Sequence, residues 1–169
     1  MIVRKLWRFE GAHIQRNCGL QRKSHSIHGH SAQIEVFLTS DKLDRGGMVV
    51  DFGLLKGPIN DFIDSFDHTL SLWSKDNSEF IKQQLNWSDR WVKMPVSPSA
   101  ENYALMFLFI IDKIIQNTTF NNGEGNVKVI AVRYHETVTG YAEADRSNLS
   151  KVWINYNLED IEFSEGIKS

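Results

Sequence analysis

Between residues 30 and 39 apolar and polar positions alternate, with Ala32, Ile34, Val36 and Leu38 on one parity and Ser31, Gln33 and Glu35 on the other. A period of two predicts a half-buried strand. Residues 2–9 predict another, with Val3, Trp7 and Phe9 on one parity and His13 further along it. The stretch between them, residues 14–27 (IQRNCGLQRKSHSI), is polar and aperiodic and predicts a loop. Gly46-Gly47 predicts a turn before a short strand over Met48-Val49-Val50. The period then changes. Leu55, Ile59, Phe62, Ile63 and Phe66 follow helical spacing, which predicts a helix over 53–66 with a kink or late start at Gly57-Pro58.

Residues 76–86 predict a short helix and residues 91–95 a short strand. The clearest helix is 98–117, with Ser97 as its N-cap and Pro98 at its first position. Asn121-Asn122-Gly123 ends that region. Residues 127–136 are apolar on both parities, which predicts a strand buried on both sides. A further strand is predicted near 141–145 and another over 152–156. The β-β-α-α-β-β order predicts an α+β domain: one antiparallel sheet with helices on one face. No repeat or linker divides the 169 residues, so a single domain is expected over 1–169.

Composition narrows the function. Hydrophobic residues are 41% and charged residues 24%, which excludes a disordered or collagen-like chain. The longest apolar stretch, Tyr103 to Ile111, is too short to cross a bilayer, so no membrane span is expected. Lys plus Arg total 19 against 21 Asp plus Glu, a balance that argues against nucleic acid as a partner. The start, MIVRKLWRFEGAH, has no apolar core of a signal peptide, and the single cysteine, Cys18, excludes an intrachain disulfide; a cytoplasmic location is expected.

Four of the seven His and Cys residues lie between Cys18 and His30. In a strand His28 and His30 point to one face, and their parity continues Ala32, Ile34, Val36 and Leu38. His13 lies at the end of the other strand on its apolar parity. If the two strands pair through the 14–27 loop, three imidazoles converge. Three neutral histidines with one open position form the pattern of a catalytic zinc site. Taken alone, His28-Gly29-His30 is equally an accidental surface pair.

Other residues admit two readings. Asp67-His68 is an acid–base dyad or a helix-end aspartate beside a solvated histidine. Glu136 ends the 127–136 strand and is either a surface carboxylate or an acceptor for a ligand with adjacent N–H donors, such as a guanine-like or pterin ring. Glu101 suits the first turn of its helix on dipole grounds alone. Cys18 is a nucleophile or base near metal, or an inert loop cysteine. Arg16, Arg22 and Lys23 share its loop, as a phosphate cluster or a solvated one.

Taken in order, His13, His28-Gly29-His30, Gly47-Met48-Val49-Val50-Asp51-Phe52, Asp67-His68, Pro98-Ser99-Ala100-Glu101-Asn102 and His135-Glu136-Thr137 form one pattern. In it the chain resembles the 6-pyruvoyltetrahydropterin synthase / 6-carboxytetrahydropterin synthase family over roughly residues 1–145, with 146–169 as a C-terminal extension. The resemblance implies the tunnelling fold: a four-stranded antiparallel sheet with two helices on one face, assembled as a homo-oligomer, trimer or hexamer. It implies zinc on His13, His28 and His30, and 7,8-dihydroneopterin triphosphate as the small-molecule substrate. It also implies Glu136 and Glu101 at the substrate, a proton relay of Asp67 and His68, and a cysteine base.

One feature departs from the family pattern. The family's cysteine sits four or six residues before the first histidine of HGH, where this chain has Ser24 and Arg22; Cys18 is ten before. Either the loop folds Cys18 back towards the metal, or Ser24 or His25 serves instead, or the chemistry differs. The expected activity is a zinc-dependent lyase forming 6-carboxy-5,6,7,8-tetrahydropterin for 7-deazaguanine (queuosine) biosynthesis. The alternatives are the pyruvoyl-forming reaction on the same substrate and a non-catalytic, pterin-binding zinc protein.

Overall fold

A computed structural model describes residues 1–19, 23–149, 158–165 and 167, and the structural statements below concern these residues. Strand β1 (Ile2–His13) pairs antiparallel with β2 (His28–Thr39) along its whole length, from Ile2 opposite Thr39 to His13 opposite His28. Trp7, Phe9 and His13 are buried, as are Ala32, Ile34, Val36 and Leu38. Both strands run further towards the 14–27 loop than the alternation predicts, and this extra length carries His13 and His28, while His30 opens the stretch already predicted as strand.

Strand β5 (Lys128–Thr137) lies antiparallel to β2, and β6 (Gly140–Asp145) lies antiparallel to β5. These four strands are the expected antiparallel sheet. One face is covered by α1 (Pro58–Asp64) and α3 (Ala100–Gln116). Between sheet and helices sits an aromatic core. Phe9, Phe66, Phe107, Tyr103 and Tyr134 pack with ring centroids 4.5–6.4 Å apart.

The sheet is larger and more mixed than expected. Its order is β6-β5-β2-β1-β3-β4-β7, seven strands in all among the described residues. Strand β3 (Thr69–Trp73) runs parallel to the last residues of β1, β4 (Trp91–Met94) parallel to β3, and β7 (Glu162–Phe163) antiparallel to β4. Strand β3 carries no alternation because its first four residues are all buried. Between β3 and β4, α2 (Ser78–Trp87) starts at Asn77, whose side chain accepts from the Glu79 and Phe80 amides. Phe80 and Leu85 pack on Ile14, Leu70 and Leu72, so α2 lies against the start of the 14–27 loop.

Three local expectations are corrected. Met48–Val50 is not a strand: the Asp44 carboxylate accepts from the Gly46 and Met48 amides, each at 2.8 Å, and bends the segment. The 53–66 helix divides into a single turn at Leu54–Lys56 and α1, because Pro58 supplies no amide to continue the turn before it. The cap of α3 is Ser99, which accepts from the Asn102 amide at 3.3 Å, so Pro98 stands outside the helix. After β6 comes the short α4 (Arg146–Leu149), and the strand expected over 152–156 lies outside the described residues. No helix among the described residues is long and apolar enough to cross a membrane.

Candidate metal centre

The register of β1 and β2 builds the centre. His13 stands opposite His28, and His30 stands opposite Gly11, so the three imidazoles emerge at one end of the hairpin. One ligand atom from each of the three lies within 4.8 Å of the others. They are the only such His, Cys, Asp and Glu group among the described residues.

Backbone carbonyls fix two of the rings. His13 Nδ1 donates to the Pro98 carbonyl at 2.6 Å, and His28 Nδ1 donates to the Ser26 carbonyl at 2.8 Å. A carbonyl only accepts, so each Nδ1 carries a proton and each neutral ring presents its Nε2 lone pair. Those two Nε2 atoms face each other at 3.1 Å. Two lone pairs at that distance repel, and a cation between them turns repulsion into coordination. Imidazole ligands held through the other nitrogen are the usual construction of a metal site. Two buried atoms beside them, His30 Nε2 and Glu136 Oε1, have no hydrogen-bond partner.

Electrostatics agree. Burial drives the His13 pKa down to about 4; its neighbours His28 and His30 act in the same direction, while the Pro98 carbonyl opposes. Burial also lowers His30, with the Glu136 carboxylate opposing and His28 reinforcing. Neutral rings at pH 7 can ligate without first losing a proton. Three imidazole donors suit a first-row divalent ion better than Mg²⁺ or Ca²⁺.

Glu136 is closer to this cluster than its expected role requires. Its Oε1 lies 3.4 Å from His13 Nε2 and 3.8 Å from His30 Nε2. Behind it, the Tyr134 and Tyr103 rings stack at 4.5 Å, both buried and both with phenols pushed up by burial. Neither these tyrosines nor the Pro98 carbonyl is among the residues expected at the site from sequence. Tyr134 carries a signal, since it lies two residues before Glu136; Pro98 carries none, because a backbone carbonyl has no residue type.

Asp67 and His68 form a real pair. His68 Nδ1 donates to Asp67 Oδ2 at 2.7 Å. The turn is stapled to β1: the Glu10 amide donates to Asp67 Oδ1 at 2.8 Å, and the His68 amide donates to the Glu10 carbonyl at 2.6 Å. Burial raises the Asp67 carboxyl, but the Glu10 amide and His68 outweigh it and hold it below the usual carboxylate range. His68 is largely exposed and shares a cavity of about 460 Å³ with Glu10, Gly11, Gly29, His30 and Ser88. One chain thus brings His68 and one histidine of the cluster to a common opening.

Cys18 does not join the three-histidine cluster. It is half-buried, follows Asn17 in a left-handed conformation (φ 60°), and sits in a loop closed by the Gln15 amide on the Ser24 carbonyl at 2.8 Å. Glu101 is exposed in the first turn of α3. Arg16 does not belong to a solvated basic cluster: its Nε donates to Asp76 Oδ2 at 2.6 Å, and its guanidinium lies 4.7 Å from the Phe80 ring centre. Arg22 lies outside the described residues.

A family model described as 6-pyruvoyl tetrahydropterin synthase matches residues 2–147. The chain belongs to this family. Members similar to it include the 6-carboxy-5,6,7,8-tetrahydropterin synthase of Helicobacter pylori strain J99, 42% identical over 171 residues that cover 100% of this chain and 86% of that protein. The protein of the same name from Rickettsia typhi is 37% identical over 99 residues, 57% of this chain and 70% of the relative. Solved structures share the family fold. An uncharacterized protein from Wolinella succinogenes superposes with a TM-score of 0.68 at 21% identity, over 86% of this chain and 99% of that one. The 6-pyruvoyl tetrahydropterin synthase of Caenorhabditis elegans gives 0.58 at 19% identity, over 86% and 94%.

Proposed function

We propose that this member of the 6-pyruvoyl tetrahydropterin synthase family is a zinc-dependent lyase that converts 7,8-dihydroneopterin triphosphate to 6-carboxy-5,6,7,8-tetrahydropterin, with loss of triphosphate and acetaldehyde. The observation that carries the metal half is the facing pair of His13 and His28 Nε2 atoms, each ring anchored to a carbonyl. The carboxy-forming branch is supported by the full-length likeness to relatives named for that product.

In this reading His13, His28 and His30 hold zinc. Bound there, zinc supplies Lewis acidity to the substrate's side-chain oxygens. Glu136 accepts hydrogen bonds from the pterin ring, and Glu101 adds an acidic contact at the mouth. Asp67 keeps the proton on His68 Nδ1, which leaves Nε2 to exchange a proton with substrate. Cys18 is the base, brought by its loop. The assembly is a homo-oligomer, trimer or hexamer, in the cytoplasm, and the product feeds 7-deazaguanine synthesis.

The test is incubation of the zinc-loaded protein with dihydroneopterin triphosphate, followed by identification of the product. The 6-carboxy product is expected; a 6-pyruvoyl product moves the chain to the other branch. The position of Cys18 outside the histidine cluster favours a second reading, a pterin-binding zinc protein without turnover. Tight pterin binding with intact substrate would establish that reading.

A further inference from the structure

The Asp67–His68 turn is held in a costly conformation. His68 has φ +56°, the left-handed region, where a Cβ crowds the backbone. Contacts from two sides hold it there. On one side is β1, through the two Glu10 hydrogen bonds described above. On the other is Arg90. Its Nε donates to the Asp67 carbonyl at 3.1 Å, and its Nη2 reaches the Asp64 carbonyl at 3.5 Å. Asp64 is the last residue of α1, so the guanidinium spans the end of the helix and the peptide just before the left-handed residue.

Arg90 is itself fixed. It is half-buried, and its own carbonyl accepts from the Leu70 amide at 3.0 Å and the Ser88 hydroxyl at 3.2 Å. The next residue, Trp91, opens β4 and pairs with Leu70 of β3. The donor is therefore anchored to the strand that leaves the turn it holds. Ser88, from the same connection, lines the cavity with His68 and His30.

We propose that Arg90 is a positioning residue, whose guanidinium sets the 67–68 peptide and so aims His68 into the cavity. This rests on the proposed proton relay of Asp67 and His68. The physical reason is geometric. A guanidinium is a rigid planar fork. The 67–68 peptide cannot rotate without pulling the Asp67 carbonyl off Nε. That rotation is the one that lets His68 relax to a right-handed backbone, and relaxation carries the imidazole away from its place. A cation at a helix C-terminus also stabilises the helix, but helix stabilisation alone leaves turnover intact in the folded protein.

The test uses the full zinc-loaded chain with dihydroneopterin triphosphate. Arg90→Gln and Arg90→Lys are compared with Asp67→Asn and His68→Gln for kcat, KM, zinc content and Tm. Arg90→Gln is expected to lower kcat about tenfold or more, since small misplacements of a reacting group cost that much. KM should stay within about threefold and zinc content should not change, because neither the histidine cluster nor Glu136 touches Arg90. Arg90→Lys is expected to recover part of kcat, as an ammonium reaches one carbonyl but not both. A wild-type kcat in Arg90→Gln beside an inactive Asp67→Asn overturns the proposal. Where Arg90→Gln does not fold, Arg90→Lys decides: reduced kcat at constant KM supports the role, and wild-type kcat overturns it. Full activity in both Asp67→Asn and His68→Gln overturns the relay reading itself, and the positioning role falls with it.

Discussion

His13 Nε2 and His28 Nε2 stand 3.1 Å apart, while the opposite nitrogen of each ring donates to a backbone carbonyl. This arrangement is unfavourable in a bare protein and favourable around a cation. Zinc should therefore stabilise the fold with a Tm that rises with free metal, as mass action requires. His28→Ala should bind zinc at least about tenfold more weakly and lose that dependence. Equal zinc content in wild type and His28→Ala, by elemental analysis, would sink the assignment.

Glu136→Gln keeps shape and removes a charge. A hydrogen bond to a charged acceptor contributes about 1.5–3 kcal/mol. kcat/KM should fall roughly 10- to 100-fold while zinc content holds. Simultaneous loss of zinc would make Glu136 part of the metal site, a role its 3.4 Å approach to His13 makes concrete.

The Asp67 carboxyl titrates below its ordinary 3.8 in the fold. A group depressed in this way stabilises the fold fully above its unfolded pKa, and the contribution is lost as pH falls through the folded value. Asp67→Asn should then lower Tm most at pH 5–7, with the gap to wild type closing as pH falls below 3.8. A gap independent of pH would show that the loss comes from packing.

Arg16 joins the Cys18 loop to α2 through Asp76 and Phe80, with the Asp76 side chain only 8% exposed. Removing one partner leaves a poorly solvated charge. Arg16→Ala, which leaves the Asp76 carboxylate buried without its cation, should cost about 1–3 kcal/mol and speed alkylation of Cys18 by iodoacetamide. An unchanged alkylation rate would separate α2 from the loop.

Cys18→Ala addresses the proposed base directly. Turnover should fall at least about 100-fold if its thiolate takes a proton in the reaction. Wild-type turnover would pass the role to another group in the loop, with Ser24 and His25 the first to replace.

How much of this was legible beforehand depends on the range of the interaction. The His13, His28 and His30 convergence follows from a period of two and one hairpin pairing, both local in character. The Asp67-His68 dipeptide left the contact open, because whether neighbouring side chains meet depends on the backbone between them, and His68 is an unusual residue to turn left-handed. Strand β3 was invisible for a related reason: Thr69 to Leu72 are buried without alternation, and parallel pairing with β1 is a long-range property. The Ser97 cap was misassigned because Ser97 and Ser99 flank Pro98 alike in sequence. Only the structure shows the proline carbonyl committed to His13.

A two-residue turn dictates how two strands align, but β1 and β2 are joined by a loop far too long to do so. Their alignment is left to apolar alternation, and a slip of one residue would throw His28 and His30 to the opposite side of the sheet from His13. Metal uptake at the proposed site would therefore gauge correct strand alignment: a misaligned hairpin would have no place for an ion, and a bound ion would lock the alignment that made its place.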